Sequence, residues 1–300
     1  MERGSVVGAL AVLLLGGCGD QVSGSAATPA GPVVSPTAIP AAAGAVEATA
    51  TVLDDGDGPE LCLGGVADSL PPQCDGPPVE GWDWDVHPEH ESVDGVKWGE
   101  FRVVGEWDGT TFTVTDARRA AEGDHAVAEE PEVSPCEEPE GGWVVVDPAN
   151  ATRSARNALG RTAEKRADYG LLWIDNSINP ANDRYQGGDY SPDVLDQMND
   201  PAQTIVNIGV TGDPAEAEAE LRPLWGGPLC VYRLANTHER LREVAEDVMD
   251  LPGFSGGGYG SVANVVELGV VFDDGSMQEW ADETYGEGVV EITSALVPAD

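Results

Sequence analysis

The chain has 300 residues, with 54 acidic against 15 basic side chains and a formal net charge of -39. That balance excludes a nucleic-acid binder and direct adsorption to anionic lipid, both of which need a basic surface. Once a leader and a tether are set aside, about 240 residues remain, enough for two modest domains or one large one.

Arg3 stands in a very short basic region, Val6 to Leu15 is apolar, and small residues follow, the layout of a secretory signal. The apolar run is too short to span a bilayer as a helix. Leu15, Gly16, Gly17 and Cys18 resemble a bacterial lipobox, in which cleavage leaves the cysteine first and its sulfur receives a diacylglycerol. Residues 1–17 are therefore expected to be a signal peptide. Cys18 is expected to be a lipid attachment site that holds the chain to the outer face of the cell membrane, since two or more acyl chains make such attachment persistent.

Residues 18–58 are rich in Ala, Pro, Ser, Thr, Gly and Val without an apolar period, and are expected to be a disordered tether. A flexible coil of about forty residues reaches an r.m.s. distance on the order of 35 Å. Within it, "DDGDG" (Asp54 to Gly58) has the look of a calcium loop, but twelve residues on from Asp54 or Asp55 stand Gly65 or Val66, where such a loop needs a bidentate Glu.

A small β-rich domain is expected over 59–120. "GEFRVVGEWDGTTFTVTDA" alternates through Phe101 and Val103, turns at Asp108-Gly109, and alternates again through Phe112 and Val114, a hairpin signal. Trp82, Trp84, Trp98 and Trp107 fall in the same region, where they supply a core or, in the rival reading, a sugar-stacking platform. "WDWDVHPEHE" places Asp83 and Asp85 two apart and His87 and His90 three apart. If this stretch is extended, both aspartates point to one face, compatible with acid/base work or a metal. These four residues are the chain's clustered candidates for chemistry.

Cys62, Cys74, Cys136 and Cys230 remain after Cys18, an even number in an exported chain, so disulfides are expected. The favoured pairing is Cys62 with Cys74, which closes a compact loop containing Pro71-Pro72, and Cys136 with Cys230; the other two pairings stay open. No CxxC spacing supports a zinc site. Residues 121–142 are acidic and proline-bearing, and are expected to be a linker.

An α/β sandwich is expected over 143–300, built from repeated β-α-β units, so that the whole chain is of the α+β class. "IVNIGVTGD" (205–213) aligns without gaps on "VVELGVVFD" (265–273) at an offset of sixty, and "LWGGPLCVY" then falls on "TYGEGVVEI". Each copy reads strand, helix, strand, with Thr237 capping a bridging helix that buries Leu241, Val244, Ala245 and Val248. Upstream, "WVVVDP", a helix over Asn150 to Tyr169 and "YGLLWID" read as another such unit. That helix concentrates Arg153, Arg156, Arg161, Lys165 and Arg166, either pairing with an acidic body or offering a face to an anionic wall polymer.

Two motifs are set aside. "GFSGG" (Gly253 to Gly257) matches a nucleophile elbow, but no histidine follows Ser255 and a helix precedes it. "GYGSVA" (Gly258 to Ala263) mimics a dinucleotide loop in reversed order, leaving a mobile glycine loop between helix and strand.

"LCLGGVADSLPPQC", "GVKWGEFRVVGEWDGTTFTVTDA", "LWGGPLCVY" and "ANVVELGVVFDDG" resemble a group of uncharacterised actinobacterial secreted or lipid-anchored proteins. The resemblance implies export and anchoring, and no catalytic residue. The expectation is a non-enzymatic, membrane-anchored lipoprotein without a cofactor, displaying its domains for a protein or envelope-polymer partner. The alternative is an extracytoplasmic hydrolase or metal-binding protein using Asp83, Asp85, His87 and His90.

Overall fold

The computed structural model describes residues 34–125 and 132–299. Its first strand, β1 (Val46–Asp54), lies inside the stretch expected to be tether. Val46, Ala48, Ala50 and Val52 turn inward while Glu47, Thr49 and Thr51 alternate with them, so a period of two built from small residues buries one face. The tether expected over 18–58 is corrected accordingly: its C-terminal part is core.

The next strands are β2 (Pro59–Cys62), β3 (Val79–Glu80), β4 (Glu91–Val93), β5 (Val96–Trp107) and β6 (Phe112–Arg119). β5 and β6 form the expected antiparallel hairpin, with Trp107 opposite Phe112. Asp108 Oδ1 accepts the amides of Thr110 and Thr111 at 2.8 Å each, which shapes the turn. β1 runs antiparallel to β5 along its full length.

The second half begins with α1 (Arg153–Ala163), capped by Thr152, whose Oγ1 accepts the Ala155 amide. It is shorter than the expected Asn150 to Tyr169 at both ends: Asp147 closes a separate 3-10 turn first, and residues 164–168 turn into β7. β7 (Tyr169–Asp175), α2 (Asn182–Gln186), α3 (Pro192–Met198), β8 (Ile205–Val210), α4 (Pro214–Leu221) and β9 (Leu229–Arg233) follow. Then come α5 (His238–Val248), β10 (Phe254–Tyr259), β11 (Val266–Val270), α6 (Ser276–Tyr285), β12 (Val290–Ser294) and β13 (Val297–Pro298).

Two three-stranded sheets result, β7-β8-β9 and β10-β11-β12, each with one antiparallel and one parallel pair. The repeat is therefore longer than the strand-helix-strand unit read from sequence: α-β-β-α-β, as α1-β7-β8-α4-β9 and again as α5-β10-β11-α6-β12. In the first copy Leu159 and Ala163 of α1 and Ala217 and Leu221 of α4 pack on Val206, Ile208 and Val210. In the second, Leu241, Val244 and Val248 of α5 are buried with Val266, Leu268 and Val270. Each of the buried Leu, Ile and Val side chains contributes about 2 kcal/mol.

Three further expectations need correction. The run at Trp143–Val146 pairs with no strand; the amides of Val146 and Asp147 go instead to Gly226 O at 2.8 and 3.1 Å. Of "GYGSVA", Gly258 and Tyr259 end β10 and the rest turns into β11, so the glycine loop joins strand to strand and not helix to strand. Gly257 takes a φ of 148° that suits glycine, and a Cβ there would sit 2.3 Å from Glu267 O. Finally, 121–142 does not behave as a free linker where it is described: Ser134 donates its amide and hydroxyl to Asp175, at 2.8 Å each.

The expected boundary between two domains is crossed by the core itself. Val271, Phe272 and Leu296 are buried with Val52, Phe101 and Phe112, and β13 pairs with β1. Residues from Val34 onward form one compact unit.

Candidate functional site

Asp83, His87 and His90 do local structural work, and the Asp85 side chain is exposed. Asp83 Oδ1 accepts the Asp85 amide at 2.9 Å and caps the 3-10 turn Trp84–Val86. The His87 ring stacks on Trp82 with centroids 4.4 Å apart. His90 Nδ1 lies 2.7 Å from His87 O, and its ring is 5.0 Å from Trp84. Among the described residues no three His, Cys, Asp or Glu side chains are grouped to hold a metal ion. Asp54 is likewise used locally, accepting the Gly56 amide and the Trp84 indole N–H, both at 3.0 Å. Trp84 and Trp107 are buried in the core and Trp82 packs edge-on to Phe101, so three of the four tryptophans serve the core.

Both favoured disulfides are present, Cys62 with Cys74 and Cys136 with Cys230. Cys18 lies outside the described residues. No helix among the described residues is long and apolar enough to cross a membrane.

The feature that stands out comes from comparing the two repeats. In the second, the Val266 amide donates to Val289 O, so residues 289, 291 and 293 face β11, while Val290 and Ile292 turn their backbone groups outward. Gln278 of α6 seals that edge: its Nε2 donates to Val290 O and its Oε1 accepts the Ile292 amide, both at 2.9 Å. In the first repeat the Val206 amide donates to Pro228 O, so Leu229 and Val231 are the outward residues of β9. Here no side chain plays the part of Gln278. Leu229 O receives only a 3.5 Å contact from Arg222, the half-cystine Cys136 Sγ lies 3.8 Å from Val231 O, and the Val231 amide has no partner among the described residues, although both residues are largely buried.

This open edge faces a groove of about 440 Å³. One side is β9 itself with Gly227 and Pro228; the other is the segment from Cys136 to Val146. Trp143 is half-buried, and Val144 and Val146 are exposed at 56 % and 64 %. Glu137, Glu140 and Glu218 stand around this apolar lining, and Arg222 is held against Glu218 at 3.1 Å and Gly227 O at 2.9 Å.

The outer wall is pinned at both ends. At one end the Cys136–Cys230 disulfide ties it to β9. Beside it the buried Asp175 carboxylate holds Ser134 and the Ser177 amide. Burial pushes that carboxyl up, but the hydrogen bonds from Ser177 and Ser134 outweigh it and keep it below the usual range. At the other end Gly226 accepts Val146 and Asp147 and donates to Asn150 O at 3.1 Å. A Cβ on Gly226 would sit 1.9 Å from Asp147 O, so only glycine permits this approach.

An unpaired strand edge, an apolar floor and an acidic rim suit an extended chain that adds itself as a fourth strand, its backbone pairing with Leu229 and Val231. The sequence held one part of this signal, the β-prone run at Trp143–Val146, read there as a strand of the sheet rather than as the wall of a groove. No protein-family model, curated protein or solved structure matches the chain.

Proposed function

We propose that this is a lipid-anchored binding protein of the outer membrane face, attached through Cys18, which holds an extended peptide segment of a partner protein against β9. Its finer architecture serves that end: a disulfide-supported β-rich part nearest the tether, followed by an α/β part that carries the groove. The anchor is supported by the Leu15 to Cys18 motif, and the extracytoplasmic location by two disulfides. The observation that carries the binding reading is the asymmetry of the repeats, with β12 sealed by Gln278 and β9 open. The acidic rim favours peptides with Lys or Arg beside apolar residues.

The test is selection of a displayed random-peptide library on the full chain in neutral detergent micelles. Selected peptides are expected to alternate apolar positions beside basic ones, to lose binding to a Val144→Glu chain, and to lose it when N-methylated at the backbone positions that pair with Leu229 and Val231. Val144 is exposed, so its substitution leaves folding intact. Peptides that bind the Val144→Glu chain equally well, or tolerate N-methylation throughout, refute the reading. Intact mass of membrane-extracted protein tests the anchor separately: cleavage before Cys18 plus a diacylglyceryl group supports it, and an unlipidated mature chain refutes it.

A further inference from the structure

Gly64 to Leu70, inside the loop closed by Cys62 and Cys74, form the longest unbroken run of exposed residues in the described chain. Leu70, at 74 %, is the most exposed large apolar side chain among the described residues. The loop is nevertheless braced. At its base the Leu61 amide donates to Pro77 O at 2.9 Å and the Gly76 amide to the Glu60 carboxylate at 3.2 Å. A Cβ on Gly76 would sit 2.1 Å from Leu61 O, and one on Gly64 2.6 Å from Ser255 O, so both arms lie directly on neighbouring backbone. Across the loop the Ala67 amide donates to Gln73 O, the Ser69 amide to Ala67 O and the Ser69 hydroxyl to Pro71 O, each at 2.8 Å. Pro71 and Pro72 fix their φ angles. A disulfide and prolines hold a loop in its bound shape in advance, which lowers the cost of binding.

The groups left free alternate. Ala67 and Ser69 spend their amides inside the loop, whereas the amides of Val66, Asp68 and Leu70 have no partner among the described residues. Their side chains are all exposed. A short segment that offers alternate backbone groups together with their side chains is what the cleft of an endopeptidase takes from a substrate, pairing the backbone and seating the side chains in pockets. A narrow convex loop also buries area well only in a cleft that wraps it. Asp68 stands between the two braced residues, and its carboxylate makes no hydrogen bond or ion pair among the described residues.

We propose that this loop inhibits an endopeptidase that cuts after acidic residues, presenting Asp68 to its specificity pocket and the Asp68–Ser69 bond to its catalytic group. Such a pocket is cationic, and a chain of net charge -39 draws a partner of that sign. Leu70 adds an apolar contact on the far side of the bond. Hydrolysis of Asp68–Ser69 consumes one water and yields the Asp68 α-carboxylate and the Ser69 amine. Both new ends stay tied, through the Cys62–Cys74 disulfide and the bond from the Ser69 hydroxyl to Pro71 O. Their effective concentration is therefore high, the amide re-forms with loss of the same water, and the complex persists. This inference depends neither on the β9 groove nor on the anchor.

The experiment is inhibition of a serine endopeptidase that cuts after Glu and Asp, assayed on a short fluorogenic peptide with the full chain in neutral detergent micelles. Saturable inhibition is expected, with the chain recovered largely uncut at Asp68–Ser69 after prolonged incubation. Asp68→Asn is expected to inhibit at least about thirtyfold more weakly, the loss of a central interface residue. Asp68→Lys is expected to transfer inhibition to an endopeptidase that cuts after Lys and Arg. Asp68 is exposed, so both variants keep the thermal midpoint of the parent chain. No inhibition of the acid-cutting enzyme, inhibition that Asp68→Asn leaves unchanged, or prompt hydrolysis of the loop with loss of inhibition overturns the proposal.

Discussion

Two shortened chains, one starting at Val34 and one at Pro59, separate a tether from a core strand. β1 buries Val46, Val52 and Leu53 at 3 % exposure or less and Ala48 and Ala50 at 8 %. Three branched side chains and two methyl groups amount to about 8 kcal/mol of burial. Net stabilities of folded domains are about 5–15 kcal/mol, so this loss consumes most or all of the margin. Removing β1 also strips the partners of β5 and of β13. In thermal unfolding followed by circular dichroism, the chain starting at Val34 is expected to melt cooperatively at the midpoint of the full mature chain, while that starting at Pro59 shows no cooperative transition. A third chain, starting at Val46, loses the bonds from Ala42 N to Trp107 O and from Trp107 Nε1 to Pro40 O, both 2.9 Å, and is expected to lose about 2 kcal/mol. If the chain starting at Pro59 melts at the same temperature as that starting at Val34, β1 is not part of the core and the reasoning fails.

Opening the Cys136–Cys230 bridge, which spans 94 residues, is expected to cost about 5 kcal/mol, and opening Cys62–Cys74, which spans 12, about 3 kcal/mol; urea midpoints of the paired Cys→Ser chains check the order. Gln278→Ala leaves the Val290 carbonyl and the Ile292 amide without their side-chain partner, an expected loss of about 2 kcal/mol by chemical denaturation. Asn264→Ala removes hydrogen bonds in both directions with the buried Asn236 and places Ala at a φ of 61°, an expected loss of about 3 kcal/mol by chemical denaturation. Because the Asp175 carboxyl is held below its usual range when folded, its contribution is present above the unfolded value and is lost as pH falls through the folded one. Stability is therefore expected to fall with acid below about pH 4, and Asp175→Asn to flatten that fall.

What was legible in the sequence was whatever local pattern decides. The sixty-residue offset exposed both strand-helix-strand units because Val206, Gly209, Val210 and Asp213 recur as Val266, Gly269, Val270 and Asp273. Asp108-Gly109 announced its hairpin, and the short Cys62–Cys74 loop its disulfide. The outer part of each repeat was hidden by an insertion carrying α2 and α3 between β7 and β8, which has no counterpart between β10 and β11. β1 was missed because alanine fills two of its inward positions, where its weak strand preference merges with the Ala-rich stretch before it. The groove was out of reach for a different reason. Which backbone groups of β9 point outward depends on its register against β8, and whether they are satisfied depends on the identity of one side chain on a helix. Neither quantity is local. The cluster at Asp83 to His90 shows the converse: adjacency of reactive residue types said nothing of convergence, because Asp83, His87 and His90 were already engaged with a neighbouring backbone group or indole.

The burial of Val271, Phe272 and Leu296 beneath the first sheet has a bearing on how the chain comes to be folded. Delivered N-terminus first, β1, β5 and β6 are in place before Leu296, so the earliest sheet waits half-finished, with Phe101 and Phe112 under an incomplete cover, until the tail arrives. Contacts between residues this far apart in the chain slow a folding reaction. Neither half is a spare part that can be cut out and kept, and the last strand laid down, β13, closes against the first.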